Sequence, residues 1–257
     1  MKDTGKAHGL VKRSWNKKPY LICMKKAIVL LSGGLDSSVT AYLARKKDYE
    51  LSALSFLYGQ QHDKEIQSAK NIARSLSIAD HVFFELDLAQ FGGSSLLKNS
   101  NKTISKPTDV SSIGNQIPET YVPGRNTIFL SIALAFAETR DAEAIFTGVT
   151  AMDYSGYPDC RPEYIKAFQQ LADLATKKTV SGNIIQIETP LIHLNKSEII
   201  TKGNQLHVPF ELTWSCYNGR KKACGQCESC QLRLQGFQQA HLKDPLEYEQ
   251  VPDWYHP

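Results

Sequence analysis

Ala27-Ile28-Val29-Leu30-Leu31-Ser32-Gly33-Gly34-Leu35-Asp36-Ser37-Ser38 is the stretch that decides the fold. Its first five residues form a short, continuous apolar run, the mark of a strand buried on both faces of a parallel sheet. The run ends in Ser32-Gly33-Gly34, and from Ser37 to Lys46 the residues Val39, Tyr42 and Leu43 recur at helical spacing. Small residues let backbone close around an oxyanion, and loop N–H groups backed by the positive end of a helix dipole attract it. Ser32, Ser37 and Ser38 add hydroxyl donors. The Gly-Lys-Ser/Thr ending of a Walker A loop is absent, so this is a phosphate loop of another kind.

Outward from the loop the pattern repeats. Leu51 to Tyr58 and His81 to Leu86 read as strands. Between them His62 to Ile78 is amphipathic, with Ile66, Ala69, Ile72, Ala73 and Leu76 on one face. Residues 92 to 120, rich in Gly, Ser, Asn and Pro, read as a long mobile loop beside a site. From Asn126, Ile128, Phe129, Ile132, Ala133, Leu134, Phe136 and Ala137 make a helix apolar nearly all round, hence central. Ala144 to Gly148 is a strand and turn. Glu163 to Thr176 is a helix carrying Ile165, Phe168, Leu171, Ala172 and Ala175 on one face, and Ile184 to Ile187 is a strand. Asn195-x-x-Glu198 has the spacing of a capping box. This alternation predicts an α/β fold with a doubly wound, mostly parallel sheet.

The last forty-odd residues are organised by cysteines instead. Cys216, Cys224, Cys227 and Cys230 are four of the six in the chain. Four thiolates can close a tetrahedral Zn²⁺ site, and a site without an open position is structural. An iron–sulfur cluster is the competing reading of Cys224, Cys227 and Cys230, although the Cys-Pro ending of a ferredoxin run is missing. The expected division is a basic extension over 1–23, an ATP-binding α/β domain over 24–205 and a small zinc-binding segment over 206–257.

The chain has 257 residues and a formal net charge of +4. Residues 1–23 hold six basic residues against one acidic, which leaves 24 against 25 for the rest. The excess therefore belongs to the tail, read as a solvated extension over an RNA-contacting arm, and Met24 is a plausible natural start. The body has no charge suited to a large nucleic-acid face. The longest apolar stretch, Ile128 to Ala137, is far short of the ~18 residues that span a bilayer. With no signal peptide evident, a cytoplasmic protein without membrane or direct nucleic-acid partners is expected.

The loop Ser32-Gly33-Gly34-Leu35-Asp36-Ser37-Ser38 resembles the PP-loop of the adenine-nucleotide α-hydrolases. Combined with the cysteine array, with Tyr58-Gly59-Gln60-Gln61-His62, Val122-Pro123-Gly124-Arg125-Asn126, Asp153 to Arg161 and Thr213 to Tyr217, it is similar to the 7-cyano-7-deazaguanine synthase family. The resemblance runs from about Lys26 to Ala240. It implies cleavage of ATP between the α and β phosphates, with Mg²⁺, at Leu31, Ser32, Gly33, Gly34, Leu35, Asp36, Ser37, Ser38, Val39, Thr40 and Ala41. The strand near Ser55 to Leu57 would line the adenine site. The implied substrates are 7-carboxy-7-deazaguanine and free ammonia, since no glutaminase domain fits in this length, and a homodimer is implied.

Individual candidates carry alternatives. Asp36 either fixes the loop through backbone hydrogen bonds or holds Mg²⁺. Together with Ser37, Arg125 and Lys196 it is expected to be catalytic. Arg125 clamps phosphate or carboxylate, or makes a surface ion pair. Lys196, in the first turn of a helix, contacts phosphate or is solvated. Asp153 and Asp159 bind a guanine-like base or shape a turn. Tyr154 and Tyr157 stack on the heterocycle or pack. Gln60 and His62 lie past a strand end where open sheets bind ligands, and His62 could equally cap a helix. Cys160 reads as a small packed residue rather than a nucleophile. The rival readings are a tRNA-thiolating enzyme, which needs a reactive cysteine and a basic face, and a zinc-ribbon binding module, which leaves the loop unexplained.

Overall fold

A computed structural model describes residues 24–107, 110, 113, 117–152 and 157–256. The basic extension 1–23 and the candidates Asp153 and Tyr154 lie outside the described residues. Five parallel strands, β1 (Lys26–Leu30), β2 (Glu50–Leu57), β3 (His81–Glu85), β4 (Ala144–Phe146) and β5 (Gln186–Glu188), form one sheet in the order β3-β2-β1-β4-β5. The order reverses between β1 and β4, the switch point where open α/β sheets bind ligands beyond the carboxyl ends of their strands.

Period-two alternation sends each strand's apolar residues to both faces. Ile28, Leu54 and Ile145 pack beneath α3 (Arg125–Thr139) and α4 (Pro162–Ala175). Val29, Ala53 and Phe146 pack on the other face, under α1 (Leu35–Lys46) and α2 (Lys64–Ser75). A short helix, α5 (Lys177–Val180), follows α4. The apolar side of α6 (Lys196–Gln205) and of α7 (Glu228–Gln239) closes over α1 through Leu35, Val39, Ile199, Ile200 and Phe237. At the start of α6 Asn195 accepts from the Glu198 N–H at 3.0 Å and Glu198 accepts from the Asn195 N–H at 2.8 Å, completing the expected capping box.

Several sequence readings shift. Helix α1 begins at Leu35, two residues before the expected Ser37, so Asp36 belongs to its first turn. Leu171 and Ala175 stand outside the buried stripe of α4, because Ile165, Phe168 and Ala172 already complete the sheet-facing side at i, i+3 and i+7. Helix α3 buries Leu130, Ala133, Leu134 and Ala137, whereas Ile128, Ile132 and Phe136 are only half-covered. The 92–120 segment is not loosely attached where it is described: Ser94, Ser95, Leu97 and Thr120 are fully buried, and the Ser95 N–H donates to Glu119 O. Among the described residues no helix is long and apolar enough to cross a membrane.

Candidate active site at the sheet switch point

Beyond the carboxyl ends of β1, β2 and β4 lies a cavity of about 280 Å³. Gly33 makes its sharpest turn: φ is +82°, and a Cβ there would overlap the Glu65 carbonyl oxygen and the Ala69 nitrogen of α2. Only glycine lets the loop lie on the start of that helix. Gly148 does the same from β4, since its Cβ would come within 2.9 Å of the Asp36 and Ser37 backbone. The loop's hydroxyls bond to one another: Ser32 Oγ and Ser37 Oγ are 3.0 Å apart, and Ser38 Oγ donates to Gly34 O at 2.7 Å.

Leu31, Ser32, Gly34, Leu35, Asp36 and Ser37 line the cavity. Gly33, Ser38, Val39, Thr40 and Ala41 stand behind that wall, the last four wholly buried in α1. Lys196, also on the wall, is only 8% exposed, and its Nζ donates to Asp36 Oδ1 at 2.7 Å and Oδ2 at 2.8 Å. The solvated reading of Lys196 is thereby corrected: 160 residues apart in sequence, these two side chains form an ion pair between a buried ammonium and a half-buried carboxylate. Asp36 meets the helix-end dipole of α1 favourably, and the lysine offsets its charge.

Arg125 opens α3 and also lines the cavity; no described carboxylate lies within ion-pair distance, so the surface ion-pair alternative fails. Its guanidinium sits 5.9 Å from the Tyr58 ring centre, over that ring. Burial works against the charge, but Tyr58, Tyr157, Cys160 and Asp159 around it raise its pKa. Phe56 and Phe129 stack at 3.9 Å with rings nearly parallel, and Tyr58 meets Phe129 edge-on. This aromatic wall suits a flat heterocycle.

The remaining candidates stand one layer back. Gln60 is buried, accepting from the Tyr58 N–H at 2.8 Å, so its amide braces the end of β2. Asp159 accepts from the Asn126 N–H at 3.1 Å and supplies the side-chain cap that Gly124 cannot give α3. His62 packs against Gly219; burial lowers its pKa, and the N-cap position of α2 is Asp63, whose side chain makes no capping hydrogen bond. Neither Gln60, Asp159 nor His62 touches the cavity. Tyr157 and Cys160 do touch it. Burial, then Asp159, pushes the Cys160 thiol up to about 11, which suits a packed thiol and not a nucleophile.

Among the carboxylates that line the cavity, sequence reasoning passed over one entirely. Glu65, in the first turn of α2, lines the cavity, and burial raises its carboxyl to about 7 against the opposing pull of Arg125. Acidic first turns are common on helices, so nothing in the local pattern distinguished it. Tyr58 is held up at about 12 by burial, with Arg125 acting against the shift.

The Sγ atoms of Cys216, Cys224, Cys227 and Cys230 all lie within 4.8 Å of one another, and all four residues are buried. The Cys224 and Cys230 sulfurs are 3.9 Å apart, close to the edge of a tetrahedron of metal–sulfur bonds of ~2.3 Å. The Asn218 and Cys224 N–H groups donate to Cys216 Sγ, each at 3.3 Å, and the Cys227 N–H donates to Cys224 Sγ at 3.4 Å. Such donors favour thiolates, so this set could hold a metal ion. The segment reaches the active site directly, since the Trp214 N–H donates to Gly33 O at 2.9 Å.

A family model described as queuosine biosynthesis protein QueC matches residues 26–241. The chain is 51% identical to a 7-cyano-7-deazaguanine synthase of Coxiella burnetii, over 88% of this chain and 98% of that one. It is 49% identical to the enzyme of that name from Thermoplasma volcanium, over 90% and 94%. Among solved structures it is similar to a 4-thiouridine synthetase–RNA complex with bound ATP, at 18% identity and a TM-score of 0.41, covering 84% of this chain and 50% of that one. With the match spanning nearly all of the described residues, the chain belongs to the QueC family of queuosine biosynthesis proteins.

Proposed function

We propose that this protein converts 7-carboxy-7-deazaguanine and ammonia to 7-cyano-7-deazaguanine at the expense of two ATP. The observation that carries the reading is the near-full-length identity to synthases of that product, about half of all positions. The geometry supports it. A carboxylate is a poor electrophile, so its oxygen first attacks the α-phosphorus of ATP, and pyrophosphate leaves into the Ser32–Ser38 loop. Ammonia displaces AMP from the acyl adenylate to give the amide. A second ATP adenylates the amide oxygen, and loss of AMP leaves the nitrile. Asp36 and Lys196 fix the loop, Ser37 donates to the phosphates, and Arg125 holds the substrate carboxylate or phosphate beside the Phe56–Phe129 wall. No covalent enzyme intermediate is required, so positioning supplies much of the acceleration.

Mg²⁺ bound with ATP would offset charge on the pyrophosphate, and the Asp36 carboxylate is placed to reach it. Zn²⁺ is the metal proposed for the four cysteines, where it would pin 206–257 onto the 24–205 body. A cytoplasmic homodimer without nucleic-acid or membrane partners is proposed as well; the half-covered Ile128, Ile132 and Phe136 of α3 support a contact with a second copy. Incubation with ATP, Mg²⁺, ammonium and 7-carboxy-7-deazaguanine should yield AMP, pyrophosphate and the nitrile. Metal-replete protein that forms none of them sinks the proposal.

A further inference from the structure

Resting on that reaction, two steps need a proton acceptor. Ammonium must lose a proton before its nitrogen attacks the acyl adenylate, and the adenylated amide must lose its last N–H proton as the C–O bond to AMP breaks. The cavity offers few groups to take it. Asp36 has both oxygens engaged by Lys196. Tyr58 and Cys160 titrate far above neutrality, and Arg125 stays charged. The Ser32 and Ser37 hydroxyls bond to each other.

Glu65 differs in placement. It lines the cavity directly behind the phosphate loop, its own backbone packed on Gly33. Among the described residues no donor hydrogen-bonds its carboxylate and no cation lies within 4.0 Å of it. The groups facing it are Arg125 from α3 and Tyr58 from the end of β2. Lys64, its neighbour on α2, is turned to the Trp214 ring at 5.4 Å, while Asp36 and Lys196 occupy each other on the loop side.

We propose that the Glu65 carboxylate is the proton acceptor of both nitrogen steps, taking one proton from ammonium as the amide bond forms and one from the adenylated amide as the nitrile forms. In the first, the nitrogen lone pair so released forms the C–N bond, AMP leaves with the C–O electrons, and the second proton the nitrogen must shed leaves on the AMP phosphate. In the second, the adenylated amide has already given one N–H proton to the departing pyrophosphate; its last N–H electrons become the third C–N bond and AMP again leaves with the C–O electrons. Proton transfer by a placed side chain contributes ~10²–10⁴-fold. A carboxyl that titrates near 7 is half-ionised at neutral pH and can return each proton to solvent between steps.

Glu65→Gln keeps the shape and removes the base. Substrate-dependent exchange of pyrophosphate into ATP reports the first adenylation alone and should stay within about threefold of the parent. Nitrile formation should fall by ~10²-fold or more. In the parent, the rate at fixed total ammonium should level off above pH 7. In E65Q it should climb about tenfold per pH unit, following free ammonia, and Glu65→Asp should restore part of the parental profile. Nitrile formation that survives E65Q with the parental pH profile overturns the proposal. So does a loss of exchange equal to the loss of nitrile, which would make Glu65 a positioning or Mg²⁺-binding residue. Absence of exchange in the parent instead refutes the reaction proposed above.

Discussion

Replacing Gly236 by Ala should damage the active site from outside it. Gly236 lies in α7, where alanine is normally favoured over glycine by about 1 kcal/mol. Here a Cβ would overlap Lys196 Cγ and come within 2.9 Å of Lys196 Cβ and Ile200 Cδ1. The lysine stem lies in the space the missing side chain leaves, and that path carries its Nζ to Asp36. Overpacking a filled core costs ~1–3 kcal/mol, so the propensity gain is cancelled and a net loss of about 1 kcal/mol is expected. In a chain this size that lowers Tm by roughly 2–4 °C. The functional loss should be larger. Displacing the stem by about an ångström pulls the ammonium from the half-buried Asp36 carboxylate, and misplacement on that scale can cost ~10²-fold in rate. Thermal unfolding and substrate-dependent pyrophosphate exchange read the two effects separately. The decisive control is the same change in a Lys196→Ala background, where Cγ, the worst of the three overlaps, is gone while Cβ and Ile200 Cδ1 remain: there the cost of G236A should shrink by about 1 kcal/mol, a coupling typical of residues in contact. An equal cost in both backgrounds, or a G236A protein that is more stable and fully active, would refute the packing argument.

Ser37→Ala removes the hydroxyl bridged to Ser32 and should lower pyrophosphate exchange by ~10²-fold while leaving Tm within a few degrees; parental exchange in S37A would show that the hydroxyl does not serve the phosphates. Cys227→Ala should release the metal and expose 216–230 to proteolysis, detected by metal analysis and mass spectrometry, and a stable, metal-free, protease-resistant variant would contradict a structural site. Glu65→Gln should also change stability with pH. The folded-state pKa near 7 lies above the ordinary 4.5, so between these values the unfolded chain binds fewer protons and the parent loses stability as pH rises. Urea unfolding should therefore show the advantage of E65Q growing from pH 4.5 to 7 and levelling above, and a pH-independent difference argues against a buried carboxyl.

What could be read from sequence was what local chemistry encodes. The apolar run into Ser32-Gly33-Gly34 requires a buried strand and a tight turn whatever surrounds it, and Asn195 with Glu198 caps α6 by itself. The cysteine spacing brings four thiols together through two short turns. Residues whose role depends on distant partners were obscure. Lys196 reads from sequence as contacting phosphate or solvated, but only the fold shows Asp36 as its partner, and only the fold shows Lys196 filling the space that Gly236 leaves. Glu65 sits next to the stripe of Ile66 and Ala69, and nothing in that spacing sets it apart from any acid in a first helical turn. Asp159 reads as binding a base or shaping a turn; that its Oδ2 accepts from the Asn126 N–H at the start of α3 is a contact no local pattern reveals.

The same dependence shows what a metal held by the four cysteines would do for this protein. The cysteines sit on both sides of the 217–223 turn and at the start of α7, so a metal there fixes the direction of that helix. From α7, buried Arg233 donates to Thr213 Oγ1 at 2.7 Å, to Phe210 O at 3.2 Å and to both oxygens of Asp244. That holds the 210–215 strand of chain, whose Trp214 N–H is bonded to Gly33 of the phosphate loop and whose indole lies on the cavity wall. Gly236, one turn further along α7, sets the path of Lys196 to Asp36. Both routes from the cysteines end on the loop, one at Gly33 and one at Asp36. Within the loop the Ser32 and Gly34 N–H groups donate only to side-chain hydroxyls, Ser37 Oγ at 3.2 Å and Ser32 Oγ at 3.3 Å. Further bracing comes from neighbours, from α2 at Gly33, from Gly148 at Asp36 and Ser37, and from the cysteine-bearing segment at both Gly33 and Asp36.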